Sequence, residues 1–270
     1  MPITNIEFQQ FKRFLKQKGG ILLADNQQYL VENRLAPLMR KVGVDRITDL
    51  LSMIMVMPDS DLAVQAIDSM TIAESFWFKD TSYFHYLETK LFAELSRHNT
   101  SLSVCSIGCS SGQEPYSISL SFEKFLTISE KDIRLSITAT CPSEKTLRQA
   151  EEGIYIDTEL SRGLPPEIQK KHLSGVKGGL QILASHRARV LFRQLNLLDS
   201  FSDLGQFDVI FCRNLLFYFS MFNKVDILNR LVNIMRPGGY LFLGSSETLP
   251  TQVNGLETVR EAGCRSYRKY

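Results

Sequence analysis

The hydrophobic period of this chain changes near residue 100, and that change limits the folds open to it. Before it, apolar residues recur at helical spacing. Thr4 with Glu7 reads as a capping box opening a helix with Phe8, Phe11, Phe14 and Leu15 on one face, and Gly19-Gly20 stops it. "DNQQYLVENRLAPLMRKVGV", "ITDLLSMIMVM" and "SDLAVQAIDSMTI" follow with the same spacing. Beyond residue 100, short apolar runs alternate with helical ones. "LSVCSI" (102–107), "IRLSITAT" (133–140), "FDVIFC" (207–212) and "YLFLGS" (240–245) read as buried strands. Such alternation specifies an α/β domain with a largely parallel sheet.

The reading is therefore a helical N-terminal domain over 1–80 and an α/β domain over 81–270. One segment breaks the alternation: "GGLQILASHRARVLFRQLNLL" (178–198) has two β-rich runs around a polar centre. It is expected to form an inserted antiparallel hairpin, about 174–195. "FWFKD" precedes the second domain, and Phe76, Trp77 and Phe78 read as interdomain core.

Composition excludes more than it identifies. A net charge of +2 over 270 residues gives no global field for nucleic acid. The N-terminus lacks the long apolar core of a signal peptide and no stretch approaches a membrane span, so a cytoplasmic protein is expected; it is also expected to be a monomer. The five cysteines lack framework spacing and read as free thiols. The four histidines are scattered, with no histidine or cysteine at i+3 or i+4, so no zinc site is expected. One alternative stays open should the sheet order make their strands neighbours: Cys109, Cys141 and Cys212 as a soft-metal or redox site.

The stretch "VCSIGCSSGQEPYSISL" is a strand, a glycine bend at Gly108 and Gly112, and a helix start carrying Glu114. Bends of this kind floor the ligand crevice of open α/β sheets. The spacing is neither that of a phosphate-cradling loop nor that of a dinucleotide fingerprint. An acid at the helix start caps it or meets a cationic ligand. Arg213, Asn214 and Tyr218 follow one strand, Asn196 to Leu198 end another segment, and Glu247 follows the last strand.

"CSIGCSSGQEPYSISL", "AEEGIY", "FDVIFCRNLLFYF" and "MRPGGYLFLGSSETL" resemble, in order and spacing, the signature segments of the CheR-type chemotaxis receptor methyltransferases. "FWFKDTSYFHYL" resembles the segment joining that family's helical and catalytic domains. The resemblance spans nearly the whole chain. It implies a Rossmann-like, doubly wound methyltransferase domain and no metal. It also implies methyl transfer from S-adenosylmethionine, leaving S-adenosylhomocysteine, to glutamate carboxylates on the cytoplasmic domain of methyl-accepting chemoreceptors.

Carried over by position, Gly108, Glu114, Asn196, Leu197, Asn214 and Leu215 would contact the cofactor, and Tyr218 would stand near the transferring methyl. The basic strip Arg34, Arg40 and Lys41 would meet the receptor. Four positions depart from the family pattern. Cys141 replaces the aspartate that ends the second strand at the ribose. Ala73 and Ser75 replace an asparagine and a threonine, and Lys79 replaces an arginine. Lys79 keeps the charge without the planar fork. On these grounds Cys141→Asp is expected to tighten cofactor binding. The same departures fit an alternative, a degenerate member that binds a receptor with weak or no activity.

Overall fold

A computed structural model describes residues 2–70, 75–129, 131–261 and 263–270. Ala73 lies outside the described residues. The N-terminal region is four helices, α1 (Asn5–Phe14, continued by a π-helical turn to Gly19), α2 (Gln28–Val42), α3 (Ile47–Val56) and α4 (Asp61–Met70). The capping box forms as read: Thr4 Oγ1 accepts from the Glu7 amide at 3.3 Å, and Glu7 accepts from the Thr4 amide at 2.8 Å. Gly20 then takes the left-handed conformation, φ 68°, that ends the helix.

The linker leads into α5 (Thr81–Tyr86), which runs through a second π-helical turn into α6 (Phe92–Leu95). The sheet then begins with β1 (Ser101–Ile107), α7 (Gln113–Ser129), β2 (Arg134–Cys141) and α8 (Glu144–Glu152). A small layer follows, of β3 (Ile154–Tyr155), α9 (Asp157–Leu160), α10 (Pro166–His172), β4 (Leu173–Val176) and β5 (Gly179–Ile182). The chain continues through α11 (Ala184–Arg187), β6 (Val190–Gln194), β7 (Phe207–Cys212), α12 (Met221–Asn233), β8 (Met235–Leu243), β9 (Leu256–Glu261) and β10 (Cys264–Lys269).

The main sheet has the order β6-β2-β1-β7-β8-β10-β9, with β6 to β8 parallel and the last two strands antiparallel. The order reverses between β1 and β7, so the loops after these strands part and leave a crevice at their carboxyl ends. Every residue of β7 is buried, as a central parallel strand covered on both faces requires. Cys105, Ile107, Ile210, Cys212, Leu241 and Leu243 face a core shared with α12 and with α1 to α4. Val104, Val209, Phe211 and Phe242 face α5 to α7. The helical domain thus shares one hydrophobic core with one face of the sheet.

The inserted hairpin is present, but only part of the expected segment forms it. β4 and β5 pair antiparallel, and β3 adds to β5 as a third strand. The second β-rich run, Val190–Gln194, instead pairs in parallel with β2 at the edge of the main sheet. The reason is local: the helical turn Ala184–Arg187 separates the runs, so they are not joined by a hairpin turn.

Candidate functional site

The two loops that part at the switch point are held by buried charge. Arg213, just after β7, exposes only 2% of its side chain and bridges two acids, Asp80 at 2.5 Å and Glu114 at 2.9 Å. It also donates to the Lys79 carbonyl at 2.7 Å, and its guanidinium lies 4.8 Å from the Tyr83 ring centroid. The second oxygen of Glu114 accepts from Ser106 Oγ at 2.8 Å. Arg213 is the link between the glycine bend, the linker and the β7 loop.

Glu247 does similar work on the other side. Its buried carboxylate accepts from the amides of Asn214, Leu216 and Gly244, each at 2.8 Å. Gly244 is required there: a Cβ would stand 2.8 Å from both the Glu247 carboxylate and Asn214 Nδ2, and 2.9 Å from the Asn214 backbone nitrogen. With the carboxylate fixed, Asn214 is held in the left-handed region at φ 57°. Phe78, Asp80 and Ser110 share that region, and these four are the non-glycine cases among the described residues. All four belong to the linker and loops of this site. Left-handed backbone without glycine persists only where surrounding contacts over-determine it, which is common at functional sites.

Between these loops and the helical domain lies a cavity of about 160 Å³. The sequence-selected residues Ser75, Lys79, Gly108, Glu114, Cys141, Asn196, Leu197, Asn214, Leu215 and Tyr218 all line it. Gly108 has φ +73°, and a Cβ on it would come within 2.5 Å of Leu215, closing the floor. Ile107, Leu195, Leu197, Leu215 and Phe219 give apolar walls. Gly19, Ile21, Ile67 and Asp68 from the helical domain complete the lining.

Several side chains stand differently from their sequence reading. Trp77 is core, 1% exposed and edge-on to Tyr155 at 4.9 Å, but Phe76 lines the cavity with Lys79 5.7 Å from its ring centroid. Asn196 is a domain clamp: its amide donates to the Lys18 carbonyl at 3.0 Å and accepts from the Leu198 amide at 3.0 Å. Ser75 donates to Gln113 at the start of α7. Arg34 is half-buried and donates to the Met70 carbonyl at the end of α4, whereas Arg40 and Lys41 are exposed.

Cys109 and Cys141 share a small buried cluster with Ala139 and Leu147. Among the described residues no three His, Cys, Asp or Glu side chains come together to hold a metal ion. Burial pushes Cys109 and Cys212 well above the ordinary thiol range, and Cys141 up to about 12.

The sequence signals that were missed are tertiary. Asp68 lies on an ordinary amphipathic helix. His172 and His186 are far apart in sequence yet meet at 3.0 Å, with Ser119 on the far side of His186 at 2.9 Å.

Comparison with known proteins agrees with this architecture. Residues 73–263 match the model of the "CheR methyltransferase, SAM binding domain", and residues 6–71 match that of the "CheR methyltransferase, all-alpha domain". The chain is 41% identical over 261 residues to the chemotaxis protein methyltransferase Cher2 of Pseudomonas putida, covering 95% of this chain and 94% of that protein. It is 38% identical over 268 residues to a chemotaxis protein methyltransferase of Vibrio parahaemolyticus, covering 96% and 95%. With both family models matched in order around a cavity of this lining, the chain belongs to the CheR methyltransferase family, whose S-adenosylmethionine-binding domain it contains.

Proposed function

We propose that this chain transfers methyl groups from S-adenosylmethionine to glutamate side chains on the cytoplasmic domain of methyl-accepting chemoreceptors. The observation that carries this reading is the family match over nearly the whole chain, together with a cavity lined by every described position carried over for the cofactor and the methyl. The lining fits the ligand. Apolar walls suit the adenine and the methionine carbons, the open floor at Gly108 admits close approach, and Glu114 suits the ammonium of the amino-acid tail.

When bound, S-adenosylmethionine supplies a methyl on a sulfonium sulfur, which a carboxylate oxygen displaces. A glutamate is already ionised at neutral pH, so the protein needs no strong base. Its residues position and exclude. Arg213 and Glu247 hold the two loops rigid, so that Glu114, Asn214 and Leu215 meet the cofactor without rearrangement. Lys79 attracts the substrate carboxylate, and Tyr218 orients it at the mouth. Orientation of this kind is worth ~7–11 kcal/mol of barrier. Arg40 and Lys41 lie on the exposed face of α2 as a basic strip for acidic receptor helices, a contact that salt would weaken.

The test is methyl incorporation from labelled S-adenosylmethionine into a receptor cytoplasmic fragment. Glutamyl esters release their label as methanol in mild base. Base-labile incorporation is expected; cofactor binding with no such label in any receptor would favour the partner-binding alternative.

A further inference from the structure

The cavity holds an acid from outside the sheet. Asp68, in the last turn of α4, lines it beside Cys141, Pro142 and Thr146, at the carboxyl end of β2. Ser143, just beyond β2, stands near enough to its carboxylate to pull its pKa down against the effect of burial. Cys141 feels its charge: after burial, Asp68 is the next cause of that thiol's raised pKa.

A negative charge in the last turn of a helix opposes the helix dipole. The position also lies on the helix side that meets the cavity, not on the outer face. A role toward the cavity accounts for both facts.

In open α/β sheets that bind an adenosine-containing ligand, an acid after the second strand commonly accepts the ribose hydroxyls. Here that strand ends in Cys141, a neutral thiol and a poor acceptor. We infer that Asp68, reaching across from the helical domain, accepts the ribose hydroxyls of S-adenosylmethionine in place of an acid at the end of β2. The inference rests on the reading of this cavity as the cofactor site.

Burial raises Asp68 to about 6, so two hydroxyl donors arriving there would stabilise its ionised form. The cofactor would then join the two domains, with its ribose on α4 and its tail on the α7 side. One earlier expectation reverses. Cys141→Asp alone would set a second carboxylate beside Asp68, and like charges at close range oppose each other's ionisation. It would not tighten binding.

The experiment is calorimetric titration with S-adenosylhomocysteine and with its 2′,3′-dideoxy analogue. Four proteins are compared: wild type, Asp68→Asn, Cys141→Asp and the double variant. Asp68→Asn should weaken S-adenosylhomocysteine about ten- to hundredfold, the size of a charge-assisted hydrogen bond. It should weaken the dideoxy analogue by much less. Cys141→Asp should bind no tighter than wild type, yet should restore affinity in the Asp68→Asn background. A merely structural Asp68 would lose both ligands equally and would not be rescued, and that result overturns the inference. So does unchanged binding in Asp68→Asn. A wild type that fails to bind S-adenosylhomocysteine at all would sink the methyltransferase reading itself, and this inference with it.

Discussion

The two sides of the cavity are built on different principles. On one side Glu114, Arg213, Asp80 and Glu247 lie in the linker and sheet domain, each with its partners in place. On the other side Asp68, Gly19 and Ile21 come from the helical domain and meet Cys141, Asn196 and Leu197 across the domain boundary. The first side has its ion pairs and hydrogen bonds made without any ligand. The second is complete only while the domains are docked. The departures at Cys141 and Lys79 are divided between them, and only Cys141 has an acid at hand to stand in.

The largest effect should come from breaking the first side. Arg213→Ala removes the common partner of two acids and leaves Glu114 facing Asp80 without a cation. Breaking a buried pair by removing one member costs ~3–5 kcal/mol. Urea unfolding should show a loss of that size, and a loss under about 1 kcal/mol would mean the network is no more than a surface pair.

The docked side should respond to pH. Asp68 titrates near 6 in the folded chain, above its ordinary range, so the native state binds more protons than the unfolded state between about 4 and 6. Its contribution to apo stability is greatest below 4 and is lost as pH rises through 6. His186, buried and lowered to about 4, acts in the opposite sense over the same window. The useful quantity is therefore the difference in melting temperature between wild type and Asp68→Asn, which should grow in the variant's favour from pH 4 to pH 7. Affinity for S-adenosylhomocysteine should instead rise over that window in wild type and stay flat in Asp68→Asn. Lys79, Glu114, Cys141 and Arg213 line the same cavity and are unchanged in that comparison.

Asn196→Ala removes both bonds of the clamp, the one to the Lys18 carbonyl and the one from the Leu198 amide. A loss of ~1 kcal/mol in unfolding is expected, with faster hydrogen exchange at Gly20 to Leu22 and not in β7. Equal change in both regions would erase the distinction between the two sides. The smallest effect should be Lys79→Arg, a several-fold rise in turnover at unchanged cofactor affinity, because a fork fixes a carboxylate better than a point charge. Steady-state methylation alongside calorimetry separates the two quantities.

Much of this was legible in the residues. The glycine bend at Gly108, the buried run Phe207–Cys212 and the crevice residues follow from period and turn chemistry, which are local. The place of Val190–Gln194 did not follow, because a β-rich run does not say which edge it joins. Asp68 was invisible for a similar reason. On α4 it reads as one more polar residue of an amphipathic helix, and only the docking of that helix brings it to β2. His172 and His186 meet through the packing of α10 and α11, which no spacing rule anticipates.

The most direct test is titration of the wild-type chain with S-adenosylhomocysteine at neutral pH. A complete cavity, with Arg213 and Glu247 holding one side and Asp68 supplying the other, predicts saturable binding of one ligand per chain. No heat up to high micromolar ligand would contradict it, and would leave a fold of the methyltransferase family without a working cofactor site.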